Sequence, residues 1–260
     1  QKTAYEISLG LVGSEMCIRD SSVYPSYAYL YFGSDETILY TGDFRVQPLA
    51  EELTENSLLG FFEENPDLKV DKLVIEGTYF GQPVTPVDHT LLKSLLRSII
   101  LKRERMVVVV HPNELPAVYR IFSLLSNEKC NIALASSKLI DMIDFWLNRL
   151  PLKGMLERIY ALSTYVSSAT RLNVADERGL EEPLVIITDV TGVGDVIRFI
   201  EDVDSAILMT SEHYREETLY EEPALLRWFR RYGIQPYRLR LSGHYYPFEF
   251  GEILKIIKPK

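Results

Sequence analysis

Three short polar segments in the sequence each follow an apolar run that is predicted to be a β-strand. Carboxylates and imidazoles are the side chains that bind divalent cations and move protons, and glycine beside them lets a ligand approach the backbone closely. In α/β folds, ligands gather at the carboxyl ends of strands, so we expect the three segments to converge on one site. The segments are Thr41-Gly42-Asp43, Glu76-Gly77-Thr78 and Ser242-Gly243-His244.

Each ionisable residue in these segments also has a structural role open to it. Asp43 can bind a cation, although taken alone it is more typical of a turn or a helix N-cap. Glu76 ends an apolar strand, where a charged side chain is costly unless paired, so it could orient a metal-binding histidine. His244 precedes a predicted helix and could hold a phosphate oxygen, donate a proton or be purely structural.

Other familiar motifs of catalysis and nucleotide binding are missing from the sequence. His89, His111 and His213 do not form the H-x-H or H-E-x-x-H spacing that brings two imidazoles to one metal. The glycines at 192 and 194 are interpreted as a strand-to-helix turn, because the third glycine of a dinucleotide site is missing. A Walker lysine motif and a G-x-S-x-G elbow are also missing, which argues against P-loop and serine-hydrolase chemistry.

The elements that must position the polar segments alternate between strand and helix. After a hairpin whose turn lies at 33–35, apolar strands are followed repeatedly by amphipathic helices, which predicts an α/β fold with a mostly parallel, helix-covered sheet. The predicted strands are 27–32, 37–40, 72–75, 106–110, 132–135, 184–188, 206–210 and 237–241. The predicted helices are 53–64, 87–102, 115–126, 138–149, 194–201, 224–232 and 247–257.

The composition limits the partners of the chain. At 260 residues and 47% hydrophobic residues, the chain can bury one large core or two smaller ones. Its two cysteines form no disulfide framework, which fits the cytoplasm, and no apolar run approaches the roughly 20 residues that span a bilayer. We therefore expect a cytoplasmic protein for which the membrane is not a partner.

A net charge of −9 argues against a surface that attracts polyanions everywhere, so any nucleic-acid footprint must be local. The best candidate is a group of arginines interleaved with aromatic residues near the end of the chain. On a helix, however, this pattern is more typical of a solvated arginine face above core aromatics. The group comprises Arg227, Arg230, Arg231, Arg238 and Arg240 with Trp228, Phe229, Tyr232 and Tyr237.

The first 22 residues differ in character from the rest of the chain. They have neither a helical nor an alternating apolar period, and the run LVGSEMCIRDS resembles a translated sequencing adapter. We therefore predict that residues 1–22 are non-native and that native sequence begins near Val23.

Taken together, TGDFR at 41–45, IEGTYFG at 75–81 and RLSGHYYPFEFGEILKIIKPK at 240–260 resemble the β-CASP subfamily of metallo-β-lactamase hydrolases. The likeness is to ribonuclease J-like archaeal RNA-processing enzymes. It implies that Asp43 is a metal ligand, that Glu76 lies near a metal-binding histidine, and that His244 contacts the scissile phosphate or assists the leaving group. Thr78, Ser242 and Gly243 are implied to bind substrate.

The resemblance also implies an organisation of the chain. A partial metallo-β-lactamase domain is expected at 23–81, an inserted β-CASP domain at 82–233, and a return to the first domain at 234–260. The implied activity is that of a zinc-dependent ribonuclease with two zinc ions, acting on single-stranded RNA. The family's H-x-H-x-D-H cluster is expected before Tyr24 and its last histidine after Lys260, so this chain is expected to be inactive by itself.

Three alternatives stay open at the sequence level. The substrate could be DNA, because none of the candidate residues reads the 2′-hydroxyl. The parent could instead be a non-catalytic scaffold subunit that kept the fold, or a hydrolase of small substrates, although the long insertion between the second and third motifs does not suit the latter. A homodimer is compatible with all of these.

Overall fold

The computed structural model of the chain divides into two compact units. Residues 1–86 and 242–260 form one, called here the outer unit, and residues 87–241 form the inserted unit. The structure describes residues 14–20, 26–46, 57–84, 86, 89–100, 105–112, 114–125, 128–148, 154, 156–199, 203, 205–209, 218–239 and 243–260.

The outer unit has a four-stranded sheet in the order β1-β2-β3-β4. The first two pairings are antiparallel and β3 pairs with β4 in parallel, so the carboxyl ends of those two strands lie at the same edge. The strands are β1 Ser14–Asp20, β2 Ser26–Phe32, β3 Thr37–Tyr40 and β4 Lys72–Val74. The helices are α1 Leu58–Glu64 and α7 Phe250–Ile257, the latter preceded by a 3-10 turn at Pro247–Glu249.

Alternation along β2 explains how the outer sheet acquires one covered face. Ala28 and Leu30 are fully buried whereas Tyr27 and Tyr29 are exposed, as the two-residue period of a strand requires. The covered face packs in a core that α1 and α7 share. The N-terminus of α1 is fixed by Ser57, whose hydroxyl accepts a hydrogen bond from the third helical residue.

The inserted unit is built on a seven-stranded sheet in the order β11-β10-β5-β9-β6-β7-β8, and every pairing in it is parallel. Its central strands are buried along their whole length, as expected for a sheet with helices on both faces. The strands are β5 Arg105–Val109, β6 Asn131–Leu134, β7 Ile159–Leu162, β8 Asn173–Ala175, β9 Leu184–Thr188, β10 Ser205–Leu208 and β11 Gln235–Arg238. The helices are α2 His89–Ile100, α3 Leu115–Leu125, α4 Ser137–Trp146, α5 Val193–Phe199 and α6 Thr218–Arg231. The predicted α/β class with a large, helix-flanked parallel sheet is thus confirmed.

The turn after β9 is held by a buried carboxylate. Asp189 accepts hydrogen bonds from the hydroxyls of Ser136 and Thr191 at 2.5 Å each and from the backbone N–H of Gly192 at 3.0 Å. Burial by itself would raise the pKa of Asp189, but these hydrogen bonds outweigh it and the pKa lies below its ordinary value. The G-x-G segment is therefore a structural turn, as the sequence predicts.

Three strands have no counterpart in the sequence-based prediction. β7 and β8 fall in a stretch without a clear apolar period. β1 falls within residues 1–22, for which no helix or strand is predicted from the sequence. It pairs with β2 through backbone hydrogen bonds, which do not require an apolar pattern. That residues 1–22 are non-native stays a prediction.

The boundaries between the units differ from those expected. The unit boundaries fall after residues 86 and 241 rather than after 81 and 233. The reason at the second boundary is that β11 pairs with β10 in the seven-stranded sheet, so its residues belong to the inserted unit instead of the returning segment.

The arginines near β11 lie on a solvated face, as predicted, whereas the expected core position of the aromatic residues is wrong for Tyr232, which is exposed. Phe229 is fully buried, whereas the guanidinium-bearing residues in the described part are exposed: Arg227, Arg230, Arg231 and Arg238. Arg240 lies outside the described residues. Trp228 stacks on Tyr232 and carries Arg198 over its ring, at 4.9 Å from the ring centroid.

Within the described residues, no helix combines the length and the apolar character that crossing a bilayer requires.

Candidate active site

The parallel pair β3 and β4 brings the first two polar segments together. The ladder continues past β3 through a hydrogen bond from the Thr41 N–H to the Val74 carbonyl at 3.0 Å. Gly42 then takes a left-handed conformation with φ of +62°, and a Cβ there would come within 3.3 Å of the Tyr27 carbonyl oxygen. After this turn the Phe44 N–H donates to Glu76 Oε1 at 2.9 Å. The predicted convergence of Asp43 and Glu76 is therefore present.

His244 reaches the same place by a different route from the one expected. The predicted strand before it is β11, which belongs to the other unit, so His244 does not extend a strand of the outer sheet. It is anchored instead by the next residue, Tyr245, whose ring packs against Phe44 with centroids 5.1 Å apart. The Tyr245 hydroxyl donates to the Glu76 carbonyl oxygen at 2.7 Å, and Ile253 of α7 is fully buried in the same core.

His244 lies three residues before the helical segment that the sequence predicts at 247–257. The turn at Pro247–Glu249 intervenes before α7, and Glu249 Oε2 accepts the Tyr246 N–H at 2.7 Å. Burial raises the pKa of Glu249 and the hydrogen bond from Tyr246 opposes that rise. The start of this turn is thus satisfied by its own carboxylate.

The closest contact in the site joins a carboxylate to an imidazole. Glu76 Oε2 lies 2.6 Å from His244 Nδ1, and both side chains are buried, with exposed fractions of 8% and 7%. Asp43 is different: its side chain is 56% exposed, and its Oδ1 lies 4.0 Å from His244 Nδ1. Burial, followed by the charge of Glu76, raises the pKa of Tyr245 to about 12, which keeps that phenol protonated beside the pair.

These three residues offer atoms of the kind that bind metal ions, all within 4.8 Å of one another. Two atoms that ligate one tetrahedral zinc ion lie about 3.3 Å apart, given metal–ligand distances near 2.0 Å. The 2.6 Å contact between Glu76 and His244 is shorter and has the geometry of a hydrogen bond. Asp43 therefore fits the role of one cation ligand, and Glu76 fits that of a residue that orients the imidazole. The rest of a two-metal ligand set would come from outside this group.

A stack of aromatic rings leads away from His244. Tyr79 meets the imidazole edge-on with centroids 5.5 Å apart, Tyr246 stacks on Tyr79 at 5.8 Å, and Phe248 stacks on Tyr246 at 5.6 Å. These three residues lie within the second and third sequence motifs, but the sequence pattern assigns them no role. The sequence feature that could have identified them is that each aromatic residue lies within four positions of a candidate polar residue.

The three residues expected to bind substrate differ in how the structure places them. Gly243 is buried next to His244. Thr78 is partly buried in the turn after β4, where its carbonyl oxygen accepts from Gln82 Nε2 at 2.8 Å. Ser242 lies outside the described residues. Substrate binding by Thr78, Gly243 and Ser242 stays a prediction.

No model of a known protein family matches the chain, and no curated protein matches it. Among solved structures, the chain is similar to a protein of unknown function from Enterococcus faecalis V583, with 18% sequence identity and a TM-score of 0.65. The match covers 100% of this chain and 59% of that protein, so the chain spans less than two thirds of its length. At this identity the likeness shows the fold alone, which is a mixed α/β fold with a large parallel sheet.

Proposed function

We propose that the chain is part of a metal-dependent phosphodiesterase of the β-CASP type that cleaves single-stranded RNA in the cytoplasm. The observation that supports this most is the buried Glu76–His244 pair beside the exposed Asp43. These residues come from three separate segments that each resemble a motif of that subfamily, and they meet at one edge of one sheet.

Glu76 holds the imidazole of His244 in one orientation through Nδ1. A carboxylate accepts, so Nδ1 carries the proton in this pair, and protonated His244 can donate from Nε2. A proton donated to a phosphate oxygen, or to the departing oxygen, neutralises the charge that develops there during hydrolysis. The hydrogen bond from Tyr245 to the Glu76 carbonyl limits how far this pair can move.

Asp43 is the residue that would hold a cation, since its carboxylate is exposed while the other two side chains are engaged with each other. A bound zinc ion would polarise a phosphoryl oxygen of the substrate and would lower the pKa of a bound water molecule. The exposed side of the site is thus assigned to the metal and the buried side to orientation of the histidine.

A non-catalytic scaffold subunit is the second candidate. It is favoured by the small set of possible metal ligands in the described group, which comprises one exposed carboxylate and a histidine that is already hydrogen-bonded to Glu76. A subunit of this kind would keep the Glu76–His244 pair for stability and would lack the upstream ligand cluster.

Sequencing the source DNA across both ends of the reading frame separates the two candidates. An in-frame H-x-H-x-D-H upstream and a histidine soon after Lys260 would support the enzyme, and a degenerate upstream segment would support the scaffold.

The protein extended by its own flanking sequence then allows a kinetic test. We expect H244A to lower kcat for cleavage of single-stranded RNA by about 10²- to 10⁴-fold, as for loss of a general acid. H111A is the matched histidine control in the inserted unit and should leave kcat near that of the wild type. Equal kcat values for the two variants would refute the role of His244, and a parallel assay on DNA tests the choice of polymer.

A further inference from the structure

The aromatic stack beside His244 becomes progressively more exposed along its length. Tyr79, nearest the imidazole, is 4% exposed, Tyr246 is partly buried, and Phe248 at the far end is 72% exposed. Phe248 and Tyr246 are nearly parallel, with an interplanar angle of 6°. The last ring of the stack thus has most of its surface accessible from solvent.

Tyr79, Tyr246 and Phe248 are spaced as offset-stacked rings, and the imidazole meets Tyr79 edge-on. Centroids in the stack are 5.5 to 5.8 Å apart, within the range of about 4.5 to 7 Å for favourable aromatic pairs. Tyr246 covers one face of Phe248, and the high exposure of Phe248 leaves room for another planar ring. Single-stranded nucleic acids present such rings, because every unpaired base has a π-face.

We propose that Phe248, backed by Tyr246, is a stacking platform for one unpaired base of the RNA strand, next to the phosphate that His244 contacts. The identity of the strand and of that phosphate rests on the proposed function. The platform itself rests on the exposed end of the stack and on its continuity with Tyr79 and the imidazole. A base stacked there would fix the position of the adjacent phosphate relative to His244.

Binding of a short RNA to the full 260-residue chain in the absence of metal tests this proposal without involving hydrolysis. An oligonucleotide of about eight nucleotides, within the usual site size for single strands, carries 2-aminopurine at each position in turn. Stacking quenches that fluorophore, so quenching at one position locates the base and a titration gives Kd. A DNA strand of the same sequence distinguishes the two polymers.

We expect F248A to weaken binding about tenfold and to remove the quenching, because base–aromatic stacking is lost. F248W should retain both, whereas F248L, which keeps apolar surface without a ring, should behave like F248A. F145A is the matched control, because Phe145 is also 72% exposed but lies on α4 of the inserted unit. An abasic site at the quenched position should make wild type and F248A bind alike.

The proposal is wrong if F248A and F145A bind RNA equally, or if the chain binds no RNA while circular dichroism shows it folded. These outcomes differ from failure of the proposed function. Loss of quenching in F248A would support the platform at Phe248. An unaffected kcat in H244A of the extended protein would at the same time rule out the catalytic role of His244. Weaker binding of DNA would assign the platform to RNA, and equal binding would assign it to either strand.

Discussion

The two oxygens of the Glu76 carboxylate hold two segments that are far apart in the sequence. Oε1 accepts the backbone N–H of Phe44, and Oε2 pairs with the imidazole of His244. Because the side chain is buried, neither partner would regain a full hydrogen bond to water if the carboxylate were removed. One residue therefore fixes both the loop that carries Asp43 and the ring of His244.

E76A should lower the free energy of unfolding by about 2–4 kcal/mol, because it removes the buried acceptor of the Phe44 N–H and the carboxylate that pairs with His244 Nδ1. The matched control is E36A, since Glu36 forms an exposed ion pair with Lys72. That pair should contribute only about 0–1 kcal/mol. Urea denaturation of both variants measures the difference. Similar losses of unfolding free energy in E76A and E36A would show that the buried pair stabilises the fold no more than an exposed ion pair does.

E76Q separates orientation from charge. The amide can still accept from Phe44, but its NH₂ group would donate to His244 Nδ1 and so move the imidazole proton to Nε2. We expect most of the stability to remain while the neutral tautomer of His244 changes. Nitrogen-15 chemical shifts of the imidazole report the tautomer directly, and an unchanged tautomer would contradict the assigned roles of the two Glu76 oxygens.

Tyr245 gives the site a dependence on alkaline pH. Its pKa is raised from 10 to about 12 in the folded state, so its contribution to stability is complete below pH 10 and is lost as pH rises through about 12. Y245F should cost about 1 kcal/mol at neutral pH through loss of the hydrogen bond to Glu76.

The difference in unfolding free energy between wild type and Y245F should shrink across that window, which urea denaturation at several pH values measures. At neutral pH, Y40F serves as the control, because Tyr40 is largely exposed. A constant difference from pH 10 to 12 would contradict the raised pKa of Tyr245.

At the scale of elements, the turn between β9 and α5 depends on a close approach of backbone. A Cβ at Gly192 would lie 2.6 Å from Thr188 Oγ1 and 2.9 Å from the Ala135 carbonyl oxygen, which is too near for either atom. Gly194, two residues later and inside α5, has no atom within 4 Å of its Cβ position. The two glycines therefore serve different purposes.

Alanine at these two positions should have opposite effects. G192A should destabilise the chain by about 1–3 kcal/mol through overpacking, and G194A should stabilise it by up to about 1 kcal/mol through better helix propensity. Thermal unfolding of the two variants decides this, and a shift of both melting temperatures in the same direction would contradict the contacts at Gly192.

The sequence predicts those elements whose apolar period is strong. β9 is predicted with its observed bounds, α3 ends one residue earlier than predicted, and β5 is shifted by one residue, because buried strands and amphipathic helices carry their pattern in every residue. β8 is not predicted, since it is three residues long and Val174 in it is exposed. Short edge strands are defined by hydrogen bonds to a neighbour, and a single sequence does not carry that information.

The candidate site shows the same division. Asp43 and Glu76 meet because their strands are parallel neighbours, which the pattern indicates. The contact of Glu76 with His244 depends on Tyr245 and α7 packing in the outer core, which no local pattern encodes. The sequence thus identifies the residues, and tertiary packing decides which atoms pair.

For the whole molecule, we expect no metal-dependent cleavage of RNA by this chain. The described group has one exposed carboxylate and a hydrogen-bonded His–Glu pair, which is less than a two-metal site requires. Assays with zinc or manganese and labelled single-stranded RNA measure this, with D43A as the control for contaminating nuclease. Cleavage that D43A abolishes would refute the expectation.

The contact between Glu76 and His244 joins positions 168 residues apart, and the inserted unit is synthesised between them. At about 5 to 20 residues per second, His244 leaves the ribosome roughly 10 to 30 s after Glu76. During that interval the inserted unit has its own strands and helices to fold, while the outer unit lacks Tyr245 and α7. The outer unit of a nascent chain is thus the later of the two to mature, and any cation or RNA site on it is acquired only after the inserted unit has been synthesised.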